Sequence, residues 1–362
     1  WNERVYYIMA TGTFSNVSGG AKAIANTQLS SARYYQRPDA KHLSLDTTLT
    51  SLSGYGGSLR FGRHGQKKIQ FETSINLKSP GLEFNDLGYM RYSDVIHHGT
   101  WVGYYIREPF SVFRNFFINT NYWIYWNFNG DLLSTNANMN FNSQFKNRWR
   151  VNGSFGRQNE NLSTTLLRGG PSIILPGSWD MNLNFGSDYT KKISFTSGGY
   201  YGFTDCKMTN SYDIWIELNF RPINSLSFSL IPDYYISKNE LQYLSTQKFV
   251  GDPRYIFAQI DQKTLNLTFR FNFTLTPELS VQYYGQPFIS AGKFSSFKHI
   301  TDPKADKFND RYTLFPDNQL VLDSDGSYSV DEDVNGAVDY SIGQRNFNMR
   351  AFRSNLVVRW EY

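Results

Sequence analysis

The chain has one cysteine, Cys206, so no internal disulfide can staple it. It has no run of about eighteen apolar residues, which excludes a membrane-spanning helix but says nothing of membrane strands. Charge is sparse: Asp, Glu, Lys and Arg make up 19% of the 362 residues, and the formal net charge is +5. The basic residues are scattered rather than clustered, so no nucleic-acid partner is expected. A nucleophile elbow, zinc spacing, a phosphate-cradling glycine loop and an assignable carboxylate pair are all missing, and no enzyme is expected. The chain starts at Trp1 with no charged-then-apolar leader after it, which reads as a processed or truncated start.

What the chain does have is aromatic. Phe, Trp and Tyr reach 17%, with 29 Phe and 25 Tyr, yet the mean hydropathy is a polar -0.48. Aromatics beside abundant Asn, Ser and Thr form a β-rich signature, because ring and branched side chains suit a pleated surface. Strict period-two alternation supports this. Leu133, Thr135, Ala137, Met139, Phe141, Ser143 and Phe145 fall on one face, with Ser134, Asn136, Asn138, Asn140, Asn142 and Gln144 on the other. Leu265, Leu267, Phe269, Phe271, Phe273 and Leu275 likewise oppose Thr264, Asn266, Thr268, Arg270, Asn272 and Thr274.

Similar runs cover 68–78, 114–128, 148–156, 179–187, 212–221 and 355–362, with weaker ones at 4–13, 52–63, 100–107, 191–202, 225–236 and 278–288. The total is about fourteen strands, most of them ten residues or more, the length of a tilted membrane strand. A soluble sandwich or propeller is the rival, and two patterns weigh against it. Trp149 and Trp179 open strands while Trp123, Trp126 and Trp360 lie near strand ends, as an interfacial girdle requires. Tight links near 145–148, 188–192, 221–225 and 276–278 interleave with long ones at 79–96, 157–178, 238–254 and 291–346. The expectation is a single all-β domain over 1–362, a large antiparallel transmembrane β-barrel with long extracellular loops. Residues 14–50 alternate poorly; a short helix within Gly20 to Ser31 and a turn at Arg37-Pro38-Asp39 are expected in an outer loop or inward-folded segment.

Several stretches resemble a known family. They are Ser79-Pro80-Gly81-Leu82-Glu83-Phe84-Asn85-Asp86-Leu87-Gly88-Tyr89, Leu167-Arg168-Gly169-Gly170-Pro171, Ile260-Asp261-Gln262-Lys263-Thr264-Leu265, Tyr284-Gly285-Gln286-Pro287-Phe288, Ser290-Ala291-Gly292-Lys293-Phe294 and Arg359-Trp360-Glu361-Tyr362. The chain is similar to the uncharacterised outer-membrane barrel domain of Bacteroidota and related bacteria, usually found behind a family-nine-like carbohydrate-binding module. The resemblance implies such a module upstream, further strands after Tyr362 and a glycan-related role.

Candidate sites are few. Asp331, Asp333, Asn335, Gly336, Ala337 and Asp339 follow the spacing of a calcium loop, with Ala337 giving a backbone carbonyl. Ile342 replaces the bidentate Glu at position twelve, so Asp323 or Asp325 would have to assist; the plainer reading is a solvated acidic turn. His97 and His98 are adjacent, cannot easily chelate together if they lie on a strand, and read as solvated loop residues. Arg168-Gly169-Gly170-Pro171 reads either as a plain turn or as a loop with Arg168 paired to an acidic wall residue.

Arg148, Arg150, Asp213, Glu217 and Arg270 fall on polar strand faces and would line a lumen, tuning passage or pairing to stiffen it. Bulky inward Trp123, Tyr125 and Trp215 favour a partly filled interior. Tyr34, Tyr35 and Tyr243 would stack on sugar rings or pack the loops. The expected function is an outer-membrane barrel that binds or passes a solute, with outer-membrane lipid around it. A plugged assembly subunit docking envelope proteins and a surface glycoside hydrolase are the alternatives.

Overall fold

The computed structural model describes residues 5–65, 67–85, 88–343 and 345–361. Trp1, Arg4 at the head of the first expected strand, Asp86, Leu87 and Tyr362 lie outside the described residues. Strand makes up most of the described chain: β1 (Tyr6–Ser18), β2 (Ser51–Arg63), β3 (Ile69–Lys78), β4 (Val95–Ile106), β5 (Phe113–Trp126), β6 (Leu132–Phe145) and β7 (Arg150–Gln158) come first. Then follow β8 (Asn161–Ser163), β9 (Ile173–Leu175), β10 (Ser178–Gly186), β11 (Ile193–Thr204), β12 (Asn210–Ile223), β13 (Leu226–Phe249), β14 (Asp252–Thr276) and β15 (Leu279–Ile300). The last are β16 (Tyr312–Leu314), β17 (Leu320–Leu322), β18 (Tyr328–Val330), β19 (Tyr340–Ile342) and β20 (Phe347–Trp360). One α-helix, α1 (Ala21–Leu29), falls where the failure of alternation placed it.

Fourteen long strands form one antiparallel wall, from β1 to β7, through β10 to β15, and ending on β20. An even number leaves β1 and β20 running antiparallel to each other. Among the described residues no pairing joins them, so the wall is open along that seam. At one end it is closed by tight turns such as 146–149, 224–225 and 277–278; at the other lie the longer connections 19–50, 79–94, 159–177 and 301–346.

Three expected loops are corrected. β1 runs on to Ser18, so the segment expected from 14 begins five residues later. Residues 238–254 are not a loop: β13 and β14 continue as a hairpin turned by Val250 and Gly251, both at positive φ (50° and 88°), as a two-residue hairpin connection requires. Likewise β15 runs on to Ile300, so the expected loop from 291 begins ten residues later. The reason for the last two is burial on both sides. Ile256, Phe257 and Ala258 are consecutive and fully buried, which erases the one-sided alternation of a half-buried strand. On this extension, one apolar cluster joins Ile256, Ala258 and Phe297 to Val330, Tyr340 and Ile342 of the small β17–β18–β19 sheet. A second joins Phe257, Leu241 and Ile300 to Leu167, Ile173 and Tyr312. The buried core therefore sits beyond one end of the wall.

The wall itself is two-faced. One face carries exposed apolar side chains in strand after strand, among them Ile8, Leu59, Val102, Met139, Leu183, Ile214, Leu265 and Leu356. The other carries a ladder of amides: Asn121 donates to Asn138 at 2.7 Å, and Asn140 to Asn119 at 2.9 Å and Asn138 at 3.0 Å. Each strand presents alternate residues to the two sides, so this polarity is written directly in the period-two pattern.

Candidate binding site at the capped end

The loop 19–50 starts as α1, whose Ile24 and Gln28 are buried. Gln28 donates to the Asp46 carbonyl at 2.7 Å and accepts the Asp46 N–H at 2.9 Å, folding the segment back on itself. From there it ties four other connections together. Arg33 donates to the Leu82 carbonyl and pairs with Glu83 at 2.8 Å. Leu82 can sit there because Gly54 and Gly81 bring two backbones into contact; a Cβ on Gly54 would fall 2.0 Å from the Leu82 nitrogen. That accounts for the Pro-Gly-Leu stretch of the family resemblance.

Arg37 approaches Asp94 at 3.5 Å and His42 reaches the same carboxylate at 2.8 Å. The other oxygen of Asp94 accepts the Phe128 N–H at 3.0 Å. Asp39 accepts the Ser172 N–H at 2.9 Å, the Ser172 hydroxyl, and the Lys304 ammonium at 2.8 Å. Burial pushes the Asp39 carboxyl up, but the hydrogen bonds from Lys304 and Ser172 outweigh it and leave it below the ordinary carboxylate value. Loops rooted at β1, β3, β5, β7 and β15 thus converge over one end of the wall.

Beneath them lies a cavity of about 410 Å³, bordered by Arg33, Arg37, Tyr92, Asp94, Tyr125 and Asn136 among others. A neighbouring cavity of about 220 Å³ shares Arg37 and is bordered by Lys41, Asn127, Asp131 and Lys304. Hydrogen bonding from Asn127 holds Asp131 below the usual carboxylate range.

The lumen candidates divide. Arg150, Asp213, Glu217 and Arg270 all lie on the amide-bearing face, since register places each beside inward residues of its neighbours. Glu217 and Arg270 border one cavity of about 400 Å³ near the tight-turn end. Arg148 does not belong with them: it sits in the 146–149 turn at φ 68° and donates to Thr190 at 2.9 Å. Among the described residues none of the five forms an ion pair with another.

The acidic loop brings carboxylate oxygens of Asp331, Asp333 and Asp339 within 4.8 Å of one another. Asn335 is turned away from that role, its side-chain oxygen accepting the Ala337 N–H at 2.8 Å. Ile342 is buried in β19, and Asp323 and Asp325 are engaged by Ser327 in a separate turn. The aspartates Asp331 and Asp333 already receive backbone N–H groups from Asn335 and Gly336.

Other expectations are corrected. His97 and His98 are strand residues of β4, on opposite faces, His97 stacking on Tyr125 at 4.4 Å and His98 facing Thr73 at 3.1 Å. Arg168 has no acidic partner among the described residues; its guanidinium lies 4.4 Å from the Tyr243 ring centre. Tyr243 packs on Phe257 and burial pushes the Tyr35 hydroxyl up to about 12, so these tyrosines pack the cap. Trp126, Trp149, Trp179 and Trp360 mark the rims of the apolar face, whereas Trp123 and Trp215 share the inward face, beside Asn136 and Asp233. Arg33, Arg37, His42 and Asp94 escaped sequence reasoning because a charged loop residue carries no sign of its burial.

Fold and site define a class of protein: one long antiparallel wall, apolar on one face and amide-lined on the other, capped at one end by its own loops. The chain belongs to the family described as "Domain of unknown function (DUF5916)", which matches residues 8–348. No curated protein matches it. Among solved structures it is similar to in-vitro folded OmpT, an outer membrane protein of Vibrio cholerae, at 7% identity over 98% of this chain and 97% of that chain, with a TM-score of 0.32. Outer-membrane expressed OmpT of Vibrio cholerae is similar at 7% identity, 98% of each chain and a TM-score of 0.31.

Proposed function

We propose that the chain forms the wall of an outer-membrane β-barrel whose capped outer end holds a solute, glycan-related as the family resemblance implies. The observation that carries this is the exposed apolar face. Leu183 is 57% exposed, Ile214 63% and Leu356 62%, and their strands turn further exposed apolar residues the same way, Met181 and Phe185, Leu218 and Phe220, Phe352 and Val358. Such a surface is far larger than the apolar patch of an ordinary soluble monomer, and lipid removes the cost of exposing it. Tryptophans at both rims and an amide-lined opposite face complete the membrane-strand pattern.

The cap favours binding or docking over free passage. Loop 19–50 crosses the mouth, and Trp123 and Trp215 narrow the inner side. The direct test is fractionation of the full-length protein from native cells. It should sediment with the outer membrane and resist alkaline extraction; recovery as a soluble periplasmic protein would contradict the reading. Steady bilayer conductance would favour solute passage, and a silent barrel with co-purifying envelope proteins would favour the assembly role.

We also propose that the Asp331–Asp333–Asp339 cluster takes Ca²⁺, supported by its oxygen spacing and limited by the missing twelfth ligand. Calcium should raise protection of the 331–339 loop from proteolysis, and Asp331→Ala with Asp333→Ala should abolish the effect. No calcium effect in the parent protein would end this proposal.

A further inference from the structure

We propose that the cavity under loop 19–50 binds a small hydroxylated carboxylate, a sugar acid of one or two rings, with Arg37 as its anion anchor; this deepens the capped-barrel reading and rests on it. Arg37 is 6% exposed and borders both cavities of the cap. Among the described residues its side chain makes one hydrogen bond, a long one of 3.5 Å from Nη2 to Asp94, and Nε has no partner. Asp94 is engaged elsewhere, by His42 at 2.8 Å and by the Phe128 N–H at 3.0 Å. The guanidinium is therefore held in place but not satisfied, a costly arrangement for a buried donor.

The unmet groups concentrate in this segment. Arg33 Nε, Gln36 Oε1, Arg37 Nε, Asp39 Oδ1 and His42 Nδ1 are half of the buried side-chain atoms that lack partners among the described residues. Of the two arginines on the larger cavity, Arg33 is paired with Glu83 at 2.8 Å, whereas Arg37 shares Asp94 with His42, so Arg37 is the cation left to meet a ligand. A carboxylate matches the flat edge of a guanidinium with two parallel hydrogen bonds. Ser93, Ser134, Asn136, Gln158 and Thr164 offer hydroxyls and amides to a polyol, and Tyr92 and Tyr125 offer rings to its C–H faces. The volume of about 410 Å³ lies in the range of small-molecule sites.

The test is calorimetric titration of the full chain in detergent with digalacturonate and with cellobiose as the neutral disaccharide. Digalacturonate should bind at least about tenfold more tightly than cellobiose, and Arg37→Gln should erase that preference. Asn136→Trp fills the cavity from the wall without touching the contacts of Arg37, and should abolish binding even if Arg37→Gln fails to fold. Absence of digalacturonate binding, equal binding of cellobiose, or unchanged binding in Asn136→Trp would overturn the proposal. A parent protein that fractionates with the outer membrane yet binds no digalacturonate defeats this inference alone. A soluble parent defeats the barrel reading whatever it binds.

Discussion

Neighbouring residues on one strand carry opposite instructions. Met139 is 45% exposed on the apolar face, while Asn138 accepts hydrogen bonds from Asn121 and Asn140 on the other. Met139→Arg should destabilise the inserted protein by roughly 2–4 kcal/mol if the site lies near the bilayer midplane. Asn138→Lys should be tolerated, because its side chain meets a polar interior. Denaturant unfolding in lipid vesicles measures both, and the reverse ranking would invert the faces. A different residue-scale device lies in the cap, where Lys298 is fully buried beside Glu240 and also donates to its backbone carbonyl at 3.2 Å. Burial pushes the Lys298 ammonium down, against the opposing pull of Glu240. Glu240→Gln leaves that charge unpaired and should destabilise the cap by roughly 3–5 kcal/mol, whereas Glu240→Leu with Lys298→Met should recover much of the loss. Protease resistance of the cap distinguishes the two.

At the scale of elements, legibility followed one-sided burial. β6 and β10 separate an apolar from a polar face over their whole length, so alternation located them to within a residue or two. The upper halves of β13, β14 and β15 are covered on both faces by the two apolar clusters, and a sequence with apolar residues on both sides has no period to read. The three-residue strands β8, β9 and β16 to β19 are too short for any pattern. The candidate site was less legible than the wall, since Arg37 and Asp94 are 57 residues apart in the chain and meet only through folding. The clamp at Asp39 gives the cap a pH dependence. A carboxyl held below its unfolded value stabilises the fold above that value, about 3.9, and the contribution is lost as pH falls through the folded value. Loop 19–50 should therefore exchange its amides faster below about pH 4, and Asp39→Asn should flatten that acid response. Unchanged acid sensitivity in the variant would place the titrating group elsewhere.

For the whole molecule, the wall and the cap divide the labour. The wall turns apolar side chains away from its interior, where no protein surface covers them, while the apolar core lies in the extension beyond one end. That inversion is what the proposed barrel requires, with lipid covering the wall and water surrounding the cap. The central claim is therefore the orientation of the wall in a bilayer. Spin labels placed one at a time from Met181 to Phe185 on β10, in the full-length protein in vesicles, test it by comparing quenching from oxygen with quenching from a water-soluble nickel chelate. The account predicts oxygen-dominated signals at positions 181, 183 and 185 and nickel-dominated signals at 182 and 184. Equal nickel access at all five positions would contradict it.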